Sequence, residues 1–184
     1  FLTFRGFAQG TTYSVIYEDV AGIDNQTMRD TVEWVLSEFD MSMSFYVDSS
    51  IISRINRNEY AEPDKYFVEI FNISKEVWEL TDGAFDITVG PLVNAYGFGR
   101  DTLPTFSEAV RDSLMNLVGM EKVDLVDGLL VKKDPGITLD FNAIAQGYSV
   151  DVVSDLLESM GIKNYLVEIG GEVKAGGTKY GQYW

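Results

Sequence analysis

Two carboxylates stand at positions whose surroundings could do chemistry. Asp140 belongs to Leu139-Asp140-Phe141-Asn142-Ala143-Ile144-Ala145-Gln146-Gly147-Tyr148, where a strand-like alternation turns directly into a helical pattern. A helix start offers free backbone N–H groups and a positive dipole end, a ready place for phosphate. Ala143, Ala145 and Gly147 are small enough to let a ligand approach the backbone, and Asp140 falls at the C-terminal end of the predicted strand. The same residues also read as a helix capped by Asn142 and packed tightly on a sheet. Asp86 lies in Thr81-Asp82-Gly83-Ala84-Phe85-Asp86-Ile87-Thr88-Val89-Gly90-Pro91-Leu92, an otherwise apolar and irregular stretch that continues to Tyr96-Gly97-Phe98-Gly99. A carboxylate in such company must be hydrogen-bonded, metal-bound or ligand-facing. An Asp bonding the amides of its own turn is the structural alternative. Met41-Ser42-Met43-Ser44-Phe45-Tyr46 is a third candidate, either a ring to stack on a planar ligand or ordinary core. Three such stretches together outline a pocket.

The residue types exclude more chemistry than they admit. The 184-residue chain has no His and no Cys, so it holds no Ser-His-Asp or Cys-His dyad, no zinc site of N/S ligands, no haem or iron–sulfur ligation and no disulfide. Any metal must sit on oxygen, which points to magnesium or calcium. A formal net charge of −15, with no run of Lys or Arg, opposes nucleic-acid binding. Neither Gly97-Phe98-Gly99 nor Gly170-Gly171 completes a dinucleotide fingerprint or a Walker loop. The longest uncharged stretch, Ile87 to Gly99, is too short and too rich in Gly, Pro and Asn to span a bilayer. With 46% hydrophobic residues the chain has ample material for a core.

These residues need elements to position them. Phe7, Thr11, Tyr13, Val15 and Tyr17 alternate as in a strand. Asp24 or Asn25 then caps a helix with Met28, Val32, Val35, Leu36 and Phe39 on one stripe. Asp48, Ser49 and Ser50 offer caps for a short turn carrying Ile51, Ile52 and Ile55, and a long amphipathic helix runs from Asp64 to the Thr-Asp-Gly ending at Gly83. Residues 84–100 have no clear period yet are strongly apolar, which predicts burial. Thr105 or Ser107 caps a third helix, with Val110, Leu114, Leu117 and Val118 inward and Gly119 as a left-handed stop. Val123–Val126 and Leu129–Lys132 form a hairpin over Asp127-Gly128. A strand at Ile137–Phe141 leads into a fourth helix that ends at Gly161, and the strands Tyr165–Ile169 and Val173–Ala175 join at Gly170-Gly171. Strands and helices in this order predict an α+β fold with a mixed, largely antiparallel sheet flanked by helices.

Taken together, several blocks resemble the ApbE-like FAD:protein FMN transferases in order and spacing along essentially the whole chain. They are Ala8-Gln9-Gly10-Thr11-Thr12-Tyr13, Met43-Ser44-Phe45-Tyr46 through Ser53-Arg54-Ile55-Asn56, Gly83-Ala84-Phe85-Asp86 through Asn94 with Gly97-Phe98-Gly99, Leu139-Asp140 with Ala145-Gln146-Gly147-Tyr148 and Val150-Asp151, and Leu166-Val167-Glu168-Ile169-Gly170-Gly171-Glu172. The resemblance implies magnesium-dependent cleavage of FAD and transfer of FMN to a Thr or Ser of a target protein, such as a subunit of a membrane redox pump, with release of AMP. Hydrolysis of FAD to FMN and AMP, and a non-catalytic module that binds FAD or a partner, are the alternatives.

By the same resemblance Tyr46 covers the flavin, and Ala84, Phe85 and Asp86 contact FAD. Asp140 and Gln146 match further FAD-contacting positions and are the catalytic candidates, the backbone carbonyl of Ala143 binds magnesium, and Gln9 takes a flavin-side position that is usually Met. Position 146 is Gln where many relatives carry Lys or Glu. A His-Ile-Asp-Pro-x-Thr-Gly-like segment and a later Asp and Thr, which complete the family's magnesium site, are absent from the chain. The expectation is therefore a single domain, 1–184, forming the N-terminal part of a longer transferase. It would sit in the periplasm or on the outer face of the cytoplasmic membrane, lipid-anchored as a precursor. A strand edge left open near Trp184 predicts self-association or pairing with the C-terminal part.

Overall fold

Three strand-to-strand connections are two residues long, and in each both residues have positive φ: Gln9 and Gly10 at 53° and 74°, Asp127 and Gly128 at 51° and 78°, Gly170 and Gly171 at 59° and 97°. That backbone matches the right-handed twist of the flanking strands and closes tight hairpins. The structure, a computed structural model, describes residues 1–20, 22–98 and 107–184. Gly99 and Thr105, singled out from the sequence, lie outside the described residues. The chain divides into two compact units, one of residues 1–40 and 144–184, the other of residues 41–143.

The first unit is built on a four-stranded antiparallel sheet in the order β1-β2-β5-β6, from β1 (Leu2–Ala8), β2 (Thr11–Tyr17), β5 (Tyr165–Ile169) and β6 (Glu172–Gly176). The alternation at Phe7–Tyr17 thus belongs to a hairpin rather than to one strand, with the turn at Gln9-Gly10. Every second residue of β5 is buried. Tyr13, Val15 and Tyr17 of β2 join Tyr165, Val167 and Ile169 in a core with Met28, Val32 and Leu36 of α1 (Asn25–Met43) and Val150, Val153 and Leu157 of α6 (Asn142–Ser159). Asp24 starts α1, accepting from the amides of Gln26 and Thr27 at 3.1 and 3.0 Å. The Tyr13 hydroxyl donates to Glu33 at 2.7 Å. Burial, with the neighbouring carboxylate second, pushes its pKa up to about 12.

The second unit is mainly helical. Ser50 caps α2 (Ile51–Asn56) and Asp64 caps α3 (Lys65–Leu80), as the spacing predicts. Residues 84–98, aperiodic in sequence, form a 3₁₀ turn at Ile87–Val89 and a short α4 (Gly90–Ala95) with Pro91 in its first turn. Ile87, Thr88, Gly90, Pro91 and Ala95 are buried, in line with the expected burial. Ser107 caps α5 (Glu108–Met115), but no residue of α5 is buried, so its predicted inward stripe faces only partial cover. Gly119 has φ 144° and ψ 113°, outside the left-handed helical region. β3 (Val123–Val126) and β4 (Leu129–Lys132) pair as the Asp-Gly signal indicates.

The clearest departure is at Ile137–Phe141, which forms no strand. Ile137, Leu139 and Phe141 are buried with partly exposed residues between them, as strand periodicity requires. The backbone partner is a side chain: Asn56 accepts from the Leu139 amide at 2.8 Å and donates to the Leu139 carbonyl at 2.9 Å. Lys132 donates to the carbonyls of Ile137 and Ile55 at 2.9 and 3.1 Å, and Asn58 to that of Pro135 at 3.1 Å. Three polar side chains therefore satisfy groups that a neighbouring strand would otherwise pair.

Candidate functional site

In the second unit this pinned segment borders a cavity of about 300 Å³, lined among others by Phe45, Asn56, Asn94, Thr138 and Asp140. Asp140 therefore follows an extended segment rather than a strand, and its place is fixed from both sides. Its amide donates to the Ile87 carbonyl at 2.7 Å, one residue after the Asn56 clamp. Its Oδ1 accepts from the Asn142 amide at 2.8 Å. Burial raises the Asp140 carboxyl above the usual carboxylate range, and the Asn142 hydrogen bond only partly opposes it. Beside it, Thr138 Oγ1 is buried without a hydrogen-bond partner, an orphaned polar atom of the kind found where a ligand completes the bonding. Arg57, the cation of this wall, is committed to Glu59 by two bonds of 2.8 and 2.9 Å and to the Asp48 carbonyl at 3.0 Å.

Asp86 anchors the turn that holds Asp140. Its Oδ1 accepts from the Thr88 amide and hydroxyl at 2.8 and 2.6 Å, and its Oδ2 from the Met120 amide at 2.9 Å. Thr88 Oγ1 in turn accepts from the Gly119 amide at 2.7 Å. The carboxylate is thus bonded within the protein, and its effect reaches the cavity through the Ile87 carbonyl. Ala84 is exposed and Phe85 partly so, with the Phe85 amide bonded to Thr81 Oγ1 at 3.1 Å. Tyr46 is 72% exposed. Its ring centroid lies 4.2 Å from that of Phe45, a cavity-lining residue. Ala143 is exposed, the second residue of α6.

The first unit gathers the other two predicted residues. Ser149, fully buried, donates to Gln9 Oε1 at 3.0 Å and lies 2.7 Å from the Gln146 carbonyl oxygen, so one hydroxyl joins the Gln9 side chain to the Gln146 backbone. Burial raises the Asp40 carboxyl, and the Gln9 side chain opposes that shift in part. Gly170 lies directly against Gln146: a Cβ there would come within 2.2 Å of Gln146 Nε2 and 2.8 Å of Thr11.

The donor set for magnesium is thin. Among the described residues no three acidic side chains gather into a group that could hold a metal ion. The carbonyl of Ala143 would be one oxygen donor for a hard cation that takes about six. The described residues do not make a magnesium site by themselves.

Sequence reasoning missed Asn56 and Thr138 as site residues. Asn56 acts on a residue 83 positions away, which no local pattern displays.

An antiparallel sheet packed by two helices, and a helical unit with a cavity bordered by a desolvated carboxylate, define an α+β protein with a candidate ligand site. A family model described as the ApbE family matches residues 9–184, and the chain belongs to that family. It is 38% identical over 180 residues to the FAD:protein FMN transferase of Vibrio cholerae, covering 94% of this chain and 53% of the relative. It is 32% identical to the FAD:protein FMN transferase of Haemophilus influenzae, covering 100% of this chain and 57% of the relative. The chain thus spans about half the length of the curated relatives it matches. Among solved structures, the flavin transferase ApbE from Vibrio cholerae superposes with a TM-score of 0.93 at 34% identity, over 100% of this chain and 62% of that one. The apo form of the Pseudomonas stutzeri flavinyl transferase ApbE gives 0.92 at 33%, over 100% and 63%. The α+β fold is therefore that of the ApbE flavin transferases.

Proposed function

We propose that the chain is the FAD-handling part of an FMN transferase that moves FMN from FAD to a Thr or Ser hydroxyl of an acceptor protein and releases AMP. The observation that carries this reading is the match of at least 94% of the chain to relatives named FAD:protein FMN transferase. The cavity around Asp140 supports it, with a desolvated carboxylate and an orphaned Thr138 hydroxyl ready to bond a polar ligand.

In the proposed reaction the acceptor oxygen attacks the phosphorus on the riboflavin side of the pyrophosphate. A new P–O bond forms, the bridging P–O bond breaks, AMP leaves with that bond's electron pair, and the hydroxyl proton is lost. Such transfers are driven mainly by positioning and by neutralising charge. This chain's contribution is to hold FAD, with Asp140 and Thr138 as polar contacts in the cavity and Phe45 and Tyr46 as ring surfaces of the same unit. Magnesium dependence belongs to the same reading by family resemblance, with Ala143 as its one named donor. A periplasmic or membrane-outer-face location, a lipid anchor, a redox-pump subunit as acceptor and self-association along the exposed edge of β6 are further parts of the proposal.

Isothermal titration with FAD should give saturable one-to-one binding, and a flat titration would sink the reading. Incubation of the complete protein with FAD and an acceptor peptide containing Thr should add the mass of FMN to the peptide. Free FMN and AMP with no labelled peptide would instead assign hydrolysis.

A further inference from the structure

We propose that a second cavity of the helical unit is a binding site for a small amphipathic carboxylate, held by Lys132, and that filling it stiffens the wall shared with the Asp140 cavity. The proposal stands apart from the FAD reading, since no step of it involves flavin. This cavity, of about 420 Å³, is walled mainly by Ile55, Tyr60, Leu129, Leu130 and Pro135, with Lys132 as its cation. Apolar walls around a few polar groups are the usual make-up of a small-molecule site. Lys132 sits half-buried among them, and desolvation lowers its pKa below the ordinary lysine value. Two of its three N–H groups donate to the Ile137 and Ile55 carbonyls at 2.9 and 3.1 Å. The third remains for a ligand.

The carboxylates nearby are committed elsewhere. Both oxygens of Glu59, on the same cavity wall, accept from Arg57 at 2.8 and 2.9 Å. Glu62 accepts from the Tyr60 hydroxyl at 2.6 Å. Asp134, whose charge reaches Lys132, turns Oδ1 to the Gly136 amide at 2.7 Å. A desolvated cation without a bonded anion is costly, so an incoming carboxylate supplies the missing partner while its apolar tail covers the walls. The wall itself is shared. Ile55 and Glu59 line this cavity and Asn56 and Arg57 the other, so the link from Ile55 through Lys132 to Ile137 runs beside the Asn56 clamp on Leu139. Charge-assisted hydrogen bonds are the stronger ones. A carboxylate that keeps Lys132 an ammonium ion therefore tightens its hold on both carbonyls and steadies Leu139.

The probe is octanoate, with 1-octanol as the same chain lacking the charge, titrated into the complete protein without FAD. Binding is followed by methyl NMR at Ile55, Leu129 and Leu130, and the wall by hydrogen exchange at the Leu139 amide. Octanoate should shift these methyls saturably, bind about tenfold more tightly than octanol, the effect of one hydrogen bond to a charged group, and slow exchange at Leu139. Lys132→Met keeps the apolar stem and should bring octanoate down to the affinity of octanol or below. Should that variant fail to fold, the comparison of the two ligands on the unaltered protein still decides. No shift at these methyls, or octanol binding as tightly as octanoate, would overturn the site. Octanoate binding that leaves exchange at Leu139 unchanged would overturn the stiffening of the shared wall.

Discussion

Asp140 pays in stability for its place at the cavity, and the sign of that cost can be worked out. Burial raises its carboxyl pKa in the folded protein above the value in the unfolded chain, about 3.9. The folded state therefore holds the proton more tightly, and stability falls as pH rises from the ordinary carboxylate range through the raised value. Asp140→Asn keeps an oxygen for the Asn142 amide and removes the charge. It should raise the urea midpoint at pH 7, with the gain fading as pH drops toward 4, while FAD binding weakens. Equal midpoints at pH 7 would contradict this. Removing the Asp86 side chain should instead destabilise the fold. Its two oxygens accept three bonds from Thr88 and Met120, so Asp86→Ala should cost on the order of 1–3 kcal/mol in urea denaturation. At this scale the sequence displayed Asp86 as a carboxylate in an apolar stretch and Asp140 as one at a strand-to-helix junction. It could not separate them, because the Met120 amide that occupies Asp86 comes from 34 residues away.

Among the elements, what was legible depended on where the partner lies. Asp127-Gly128 and Gly170-Gly171 announced their hairpins because the turn chemistry is local. Gln9-Gly10 makes the same turn with a residue that rarely takes positive φ, so β1 was folded into its neighbour's pattern. The helix α4 was hidden by its length of six residues and by the Gly and Pro that begin it. Ile137–Phe141 shows alternation reporting the backbone correctly while staying silent about the partner, since a side-chain amide pairs where a strand was expected. Asn56→Ala would leave both backbone groups of Leu139 without that partner. It should cost about 1–3 kcal/mol and speed hydrogen exchange at Leu139 and Asp140 well beyond that at the core of α3. Uniform protection across the second unit would count against the clamp. Gly90 serves the same wall by close approach, since a Cβ there would lie 2.5 Å from Thr138 Oγ1 and 2.6 Å from its carbonyl oxygen. Backbone cannot yield as a flexible side chain does, so Gly90→Ala should displace the Thr138 segment and weaken FAD at least as much as Asp140→Asn.

At the scale of the whole chain, charge sets an unusual condition for the proposed anionic substrate. FAD carries a dianionic pyrophosphate, and the chain carries a formal net charge of −15 with no basic run to offset it. Among the cavity-lining residues Arg57 is held by Glu59. Long-range repulsion should therefore oppose FAD, and local hydrogen bonds and ring contacts must overcome it. Adding salt shortens the Debye length from about 30 Å at 0.01 M to about 8 Å at 0.15 M. Repulsion across the molecule is then screened, whereas contacts within the cavity are barely touched. FAD affinity should rise with NaCl over this range, opposite in sign to sites built on Lys and Arg, where salt weakens anion binding. Riboflavin, which has no phosphate, should show almost no salt dependence and supplies the control. An FAD affinity that falls with salt would mean that a basic group, Arg57 freed from Glu59 or a lysine brought to the site on binding, meets the pyrophosphate directly. The sign of one salt titration thus separates a site that works by bonding and shape from one that works by charge.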